Sequence, residues 1–598
     1  MNANRLTYPT RTNLVRSLRD RWLVILGTLY VPFEALRKGV DTYYDFMNVK
    51  WAMGWMILQG NFELKGLATT RKWNPPFLDI WHAVIASSGT WWFPVVLHGI
   101  AHSLVVPSVF VLAKRAAPDM PNLVQQAVAA LSVATPLVAM QVGTTSGHIY
   151  ASLPLIWSAT VIIEATRNYR CSISDVGSRS FANSRSLEAT RHRLFFIAGI
   201  VLALSPILKP SVLVNIPVHL LGVLVLTSSI SGTIAVASGF LCTYGVISLG
   251  WAAFVAGVAE GSLFNTYIPR VPVGGASLLL VLALLVALGA VLWRHPGALV
   301  ATFSRFNSSR ALMILCLVTG FYVSIRVADY LRENPGDYRW FVRDLGAFSD
   351  RLLHTGDLRF GFLTLDLEVP YFDTSMALST VLMVGVVLLL PVVLSQVGVS
   401  PLSRALGIVI FSSGTLIFNA WATGYARYGS QSIPLVGVAA IAFVAVIRSQ
   451  ITRIVGLFLV GMVLILPHVL VDRVSSGIPR FAQLMYNEPL YDNYVSDEEA
   501  DLLSSLLPQD SYVMSVGTVN SFLAPRLGRT DLTWWFWRPK PDEVQTLSDV
   551  PVSFVFSPGD SDRLPKYALH GLVYQDCSVL RFTNTSVGVC RAEVIPAE

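Results

Sequence analysis

Residues 37–80 read RKGVDTYYDFMNVKWAMGWMILQGNFELKGLATTRKWNPPFLDI, a polar and aromatic-rich stretch between the apolar runs 22–36 and 92–113. Apolar runs of about 17 to 25 residues are long enough to cross a bilayer, so this stretch reads as the loop joining a first and a second membrane span. It carries Asp41 and Asp45 just beyond the first run. A carboxylate at a bilayer boundary is costly unless it is solvated, paired or used, and two acids four residues apart can share one helix face. They are either solvated loop charges or members of a site.

Outward from that loop the same alternation repeats. Further apolar runs at 123–142, 149–165, 194–208, 212–227, 234–258, 276–293, 311–327, 376–394, 406–422, 433–447 and 454–471 bring the expectation to about 13 transmembrane helices. The 598 residues are 53% hydrophobic and only 14% charged, with mean hydropathy +0.56. That composition excludes a soluble protein of this size and defines a polytopic α-helical membrane protein. The net charge of +7 does not point to nucleic acid, because the basic residues sit in short loops between apolar runs, which is the positive-inside pattern. Arg5, Arg11, Arg16, Arg19 and Arg21 precede the first run. No small-residue cleavage site follows, so a retained cytoplasmic N-terminus is expected. Alternation then puts Lys114, Arg115, the loops 167–193 and 294–310, Arg448 and Arg453 inside. It puts the loop 37–80, the loop 328–374 and everything after 472 on the non-cytoplasmic face of a cell inner (plasma) membrane.

The chain divides into a transmembrane part, 1–471, and a small extracytoplasmic α/β domain, 472–598. In the second, VSDEEADLLSSLLPQ reads as a helix with Ser496 as N-cap and Glu499 three residues on, a capping box. YVMSVG and VSFVFSP read as short strands, and SVLRF with VGVCRA as a closing hairpin. Cys577 and Cys590 flank that hairpin and are either a disulfide clip, which needs an oxidising compartment, or two buried thiols. There is no Walker A motif, dinucleotide fingerprint or HExxH, which counts against a nucleotide-driven pump, a nicotinamide enzyme and a zincin. No His, Cys or carboxylate cluster has metal-ligand spacing, so no metal is expected.

In the first loop, Phe46, Val49, Met53 and Met56 or Ile57 follow a helical period, which predicts an amphipathic helix at the membrane interface with Asp45 at its N-terminus. Trp51, Trp55, Trp73 and Trp81 suit that depth. Pro75 and Pro76 then force an extended turn. An acid in the form DF just past the first span, a helix ending in GN, and a PP-plus-aromatic turn together resemble the first loop of the GT-C superfamily of membrane glycosyltransferases. The polyprenyl-phosphate-sugar type, mannosyl- or arabinosyltransferase-like, is the nearest variant. Asn48 and Lys50 depart from it where a tyrosine is expected, and WNPPF stands where YPP is common.

The resemblance implies a GT-C-like fold with Asp45 as catalytic base and Asp41 as the fallback. It implies a polyprenyl-phosphate-linked sugar as donor with no further cofactor. Arg427-Tyr428, six residues before Pro434, is similar to the RY..P segment of that superfamily, where the arginine meets the lipid phosphate. A guanidinium suits that role because its planar fork stays charged, although a snorkelling arginine at a span end has the same look. In the loop 328–374, Asp337, Arg339, Arg343, Asp344, Asp350 and Arg351 alternate in sign. This is either a salt-bridged solvated face or a source of phosphate contacts through Arg339 and Arg343. Lys209 in ILKPS and His148 in TTSGHIY, both at outward span ends, complete the candidate phosphate-binding residues.

The expected activity is that of an inverting glycosyltransferase moving a sugar from a polyprenyl-phosphate donor to a hydroxyl of a cell-envelope glycan or glycolipid. Its partners are then membrane lipids, the lipid-linked sugar and the acceptor, without nucleic acid. The alternative is a multi-span transporter or lipid flippase, which more often shows internal repeats. A third reading is a non-catalytic assembly protein whose Trp534, Trp535 and Trp537 stack on sugars rather than serving as core or anchor.

Overall fold

The structure is a computed structural model, and it describes residues 20–38, 51–60, 75–86, 92–134, 138, 141–143, 145, 147–175, 181–227, 229–258, 407–408, 411, 431–447, 449–458, 460, 497–507, 512–516, 527–528, 533–535, 552–556, 572–581 and 586–594. The expected spans 276–293, 311–327 and 376–394 and the domain boundary at 472 lie outside them. Among the described residues, four helices are long and apolar enough to cross a membrane: Trp92–Ala116, His148–Thr166, Glu188–Leu208 and Ser231–Trp251. They coincide with the runs expected at 92–113, 149–165, 194–208 and 234–258.

The first helix, α1 (Trp22–Lys38), is two-faced. Trp22, Leu26, Leu29 and Phe33 are exposed along one stripe, while Val24, Val31 and Ala35 are buried on the other. Large side chains outward and small ones inward is the arrangement of a helix that meets lipid on one side and neighbouring helices on the other. At its end, Arg37 donates to both carboxylate oxygens of the buried Glu34 at 2.7 Å.

In the first loop, α2 runs Ala52–Leu58, and Trp51, Met56 and Ile57 are buried rather than laid along an interface; the expected helix start at Asp45, with Phe46 and Val49, lies outside the described residues. The reason is α3 (Phe77–Ala86): Gly54 lies so close to it that an added Cβ would sit 2.1 Å from the Asp79 carbonyl oxygen. Pro75 and Pro76 do not precede an extended turn. The Ile80 N–H donates to the Pro76 carbonyl at 2.9 Å, so the proline pair launches α3 directly, as prolines at a helix start do.

α4 (Trp92–Ser103) and α5 (Val105–Ala116) continue one another across Leu104. The break falls where Pro107 cannot donate to the Ser103 carbonyl. The run 123–142 is not one span: α6 (Asn122–Leu131) is followed by turns at 132–134 and 141–143. α7 (His148–Asp175) and α8 (Phe181–Leu208) then form a long antiparallel hairpin, so most of 167–193 is helix rather than loop. The run 212–227 begins as a 3-10 turn, Pro210–Asn215, and becomes α9 (Ile216–Thr227). α10 (Ile230–Val258) returns along α8, and α11 (Ile433–Ala445) is buried almost throughout.

Two crossings show what holds the helices together. A Cβ added to Gly199 on α8 would lie 2.0 Å from the Val236 carbonyl oxygen, and one added to Gly239 on α10 would lie 2.1 Å from that of Phe196. Gly222 on α9 and Gly407 are likewise reciprocal, against Phe411 and Leu226. Towards the C-terminus, α12 (Asp497–Leu506) precedes β1 (Tyr512–Val516), β2 (Thr533–Trp535), β3 (Val552–Phe556), β4 (Leu572–Arg581) and β5 (Ser586–Val594). The sheet order is β2-β1-β3-β5-β4, with β1 parallel to β2 and β3 and with β5 antiparallel to β3 and β4. Gln575 pairs with Arg591 and Ser578 with Val589, so Asp576 and Cys577 together oppose Cys590 in a β-bulge. Cys577 and Cys590 are bonded there, with Cα atoms 4.1 Å apart, so of the two expected states the clip is the one present.

Replacing Gly199 with alanine is expected to lower the unfolding midpoint in detergent, at a cost of about 1 to 3 kcal/mol for the overpacked crossing. Gly250→Ala on α10, where an added Cβ meets nothing within 4 Å among the described residues, does not lower the midpoint. A thermal melt of both variants checks this.

Candidate functional site

The site gathers at the start of α7. The segment leading into it, QVGTTSGHIY, has two glycines at φ +76°, Gly143 and Gly147, a backbone region that glycine enters without a Cβ clash. A Cβ added to Gly147 would lie 3.3 Å from Leu78 Cδ1, 3.5 Å from the Leu208 carbonyl oxygen and 3.6 Å from Lys209 Cδ. Three elements therefore meet there: α3 at the close of the first loop, the end of α8, and the beginning of α7. Lys209 ends α8 in an extended conformation, φ −142° and ψ 101°, because the residue before Pro210 is driven out of the helical region. In this way the fold brings together two residues singled out in the sequence, His148 and Lys209.

His148 is buried, and its Nδ1 lies 3.2 Å from Gln431 Oε1. With an amide oxygen as acceptor, Nδ1 carries the proton. Gln431 and Ser432 are themselves fully buried at the start of α11. Among the described residues, Gln431 Nε2 and Ser432 Oγ have no hydrogen-bond partner. A buried donor left unpaired costs about 1 to 3 kcal/mol, so both call for a partner beyond the described residues. The leading amides of α7 add to this setting. A helix cannot pair its first N–H groups with its own carbonyls, and together they favour an anion. Lys209 beside Gly147, the first amides of α7 and the amide of Gln431 are groups of the kind that receive a phosphate.

A second polar layer lies beside the first. His82 on α3, His98 and His102 on α4, and Tyr150 on α7 are all buried. His98 Nδ1 lies 2.5 Å from Tyr150 Oη, and the Gly143 N–H donates to His102 Nδ1 at 3.2 Å. The His82 and His98 rings are 4.7 Å apart, and those of His102 and Tyr150 4.6 Å. Among the described residues, no group of three or more His, Cys, Asp or Glu could hold a metal ion. Asp79, buried in the first turn of α3, completes the polar residues of this region.

Sequence reasoning missed the histidines and Gln431. The signal for His98 and His102 was available: two imidazoles one helical turn apart inside an apolar run, where ionisable groups are functional candidates by default. Gln431 carried no such signal, since a lone glutamine at a span end is ordinary. Asp41, Asp45, Arg339, Arg343, Arg427 and Tyr428 lie outside the described residues; Gln431 follows Tyr428 by three positions in the sequence.

Four apolar spans with a buried polar site at the head of one of them define an integral membrane protein of helical architecture. No family model matches the chain, and no curated protein matches it. Among solved structures it is similar to the archaeal oligosaccharyltransferase AglB from Archaeoglobus fulgidus in complex with an inhibitory peptide and a dolichol-phosphate. That likeness has TM-score 0.46 and 13% identity, covering 93% of this chain and 71% of that one. The apo form of the Archaeoglobus fulgidus oligosaccharyltransferase gives TM-score 0.44 and 13% identity over 93% and 71%. ArnT from Cupriavidus metallidurans bound to undecaprenyl phosphate gives TM-score 0.35 and 12% identity over 95% and 97%. At those scores the likenesses establish neither fold nor activity.

Gly147→Val is expected to destabilise the protein more than Gly60→Val. Both glycines have φ +76°, but among the described residues only Gly147 has neighbours within 4 Å of an added Cβ. Backbone strain, about 1 to 2 kcal/mol for a left-handed L-residue, is common to the two. Their difference in detergent unfolding midpoint therefore reports the crowding by Leu78 and Lys209, and equal midpoints would contradict the packing.

Proposed function

We propose that this chain is an integral membrane glycosyltransferase. It moves a sugar from a polyprenyl-phosphate donor to a hydroxyl of a cell-envelope glycan or glycolipid, with inversion, on the non-cytoplasmic face. The observation that carries this reading is the convergence of His148, Lys209 and Gln431 on the start of α7, an anion cradle packed against the close of the acid-bearing first loop.

The proposed chemistry is a single inverting displacement. Asp45, with Asp41 as its alternate, removes the proton from the acceptor hydroxyl. The hydroxyl oxygen attacks the anomeric carbon from the face opposite the phosphate, the anomeric C–O bond breaks, and polyprenyl phosphate departs with the electron pair. A general base of this kind contributes roughly 10² to 10⁴ in rate. The departing phosphate gains negative charge, which Lys209 and the α7 amides offset, together with Arg427, Tyr428, Arg339 and Arg343 if their loops reach it. Preorganised donors are worth most where charge develops. A lipid donor also accounts for the many spans: the prenyl chain stays in the bilayer, and only phosphate and sugar enter the polar site.

Purified protein in detergent, offered a panel of polyprenyl-phosphate sugars, is expected to release polyprenyl phosphate in the presence of acceptor. Asp45→Asn should slow release by roughly 10² or more, and Lys209→Gln should do so by roughly 10-fold or more through weaker phosphate stabilisation. Full activity in Asp45→Asn removes that residue as the base. Solute uptake into vesicles with no release from any donor overturns the transferase reading in favour of a transporter.

A further inference from the structure

The loop 143–147 and the first turn of α7 are held from two sides by polar contacts, of which the proposed function draws on only one, His148 with Gln431. Successive residues on a helix are turned by about 100°, so His148 and Tyr150 leave α7 on nearly opposite faces. His148 goes to Gln431 at the start of α11. Tyr150 goes to His98 on α4, with Nδ1 and Oη 2.5 Å apart. One turn further along α4, His102 accepts the Gly143 N–H at 3.2 Å. The two histidines of α4 therefore grip both ends of the same short loop, one at Gly143 and the other at Tyr150.

We infer that His98, His102 and Tyr150 are positioning residues that fix the 143–148 loop, and with it the α7 amides and Gly147, in the geometry that receives a phosphate. This rests on the phosphate reading of the cradle. The reason such a grip is needed is physical. Two positive-φ glycines in five residues leave a chain with much freedom to lose, and helix ends are the part of a helix that opens most easily. An anion held by backbone N–H groups needs those groups to be in place before it arrives. His102 can serve only as an acceptor at Nδ1, so its proton resides on Nε2. The His102–Tyr150 and His82–Tyr150 ring contacts, at 4.6 and 6.2 Å, close the socket around the phenol.

The chemistry of each contact gives selective variants. Asparagine can place an acceptor near the position of an imidazole Nδ1, whereas leucine cannot. His102→Asn is therefore expected to retain the Gly143 contact that His102→Leu loses, and Tyr150→Phe removes the hydroxyl while keeping the ring. The full-length protein in detergent is tested by two readouts. The first is hydrogen exchange of peptides covering 143–150. His102→Leu and Tyr150→Phe should exchange there faster than wild type by roughly 3- to 10-fold, the value of one net hydrogen bond, with His102→Asn close to wild type and exchange in α10 unchanged. The second is affinity for a prenyl phosphate, with farnesyl phosphate as the probe, which should weaken by a similar factor in the same two variants and recover in His102→Asn. Unchanged exchange at 143–150 in the leucine and phenylalanine variants overturns the positioning role, whatever the ligand. Faster exchange with undiminished farnesyl phosphate affinity overturns its link to phosphate. If wild type binds no prenyl phosphate, the phosphate reading fails, and this inference fails with it.

Discussion

In a bilayer an apolar side chain gains nothing by leaving lipid for another helix, so helices are held by close van der Waals approach and by polar pairing. The bundle depends on the first of these at points where no Cβ can be accommodated. At the α8–α10 crossing, Gly199 faces the Val236 carbonyl and Gly239 faces that of Phe196, so each helix supplies the space for the other. Gly222 and Gly407 repeat the device between α9 and Phe411. Lys209 follows the end of α8, so the depth to which α8 seats against α10 sets where the lysine emerges beside Gly147.

Polar pairing supplies the second constraint, and its distribution separates structural from functional groups. Arg115 and Glu164 meet at 2.8 Å between α5 and α7, and Arg37 and Glu34 at 2.7 Å on α1. Each is a charge compensated by its opposite, as a membrane protein requires. At the other end of α7 the pattern changes. There the buried groups are an amide, a hydroxyl, imidazoles, a phenol and the carboxyl of Asp79, with no arginine or lysine buried among the described residues. Gln431 Nε2 and Ser432 Oγ remain unpaired among the described residues. Such a set leaves capacity for one more polar partner.

Much of this was legible in the sequence where the signal was long. The spans at 92–113, 149–165, 194–208 and 234–258 announce themselves by continuous apolar composition, and hydrophobic length survives any detail of packing. The strand pattern of VSFVF and the hairpin around Cys577 and Cys590 were also visible, because alternation and turn spacing are local. What was not legible depended on distant contacts. The helix α2 turns inward because Gly54 packs on a carbonyl of α3, which the local period cannot foresee. The run 212–227 looked like a uniform span, yet Pro210 made its beginning a tight 3-10 turn. In the site, His148 and Lys209 could be picked out singly as polar residues at span ends. Their meeting across Gly147, and the arrival of Gln431, required the fold.

The short helix α3 draws these strands of argument together. At ten residues it spans about 15 Å, half of what a bilayer crossing needs, so its apolar character has another purpose. It packs α2 through Gly54 on one side and presents Leu78 to Gly147 on another, while Asp79 and His82 are buried in the polar layer. The described return of the first loop, residues 75–86, is thus packed against the start of α7. In the proposed reaction an acid and a leaving phosphate are held at a fixed separation, since small misplacements of reacting groups cost rate steeply. A helix wedged between Gly54 and Gly147 serves that requirement with short-range contacts alone.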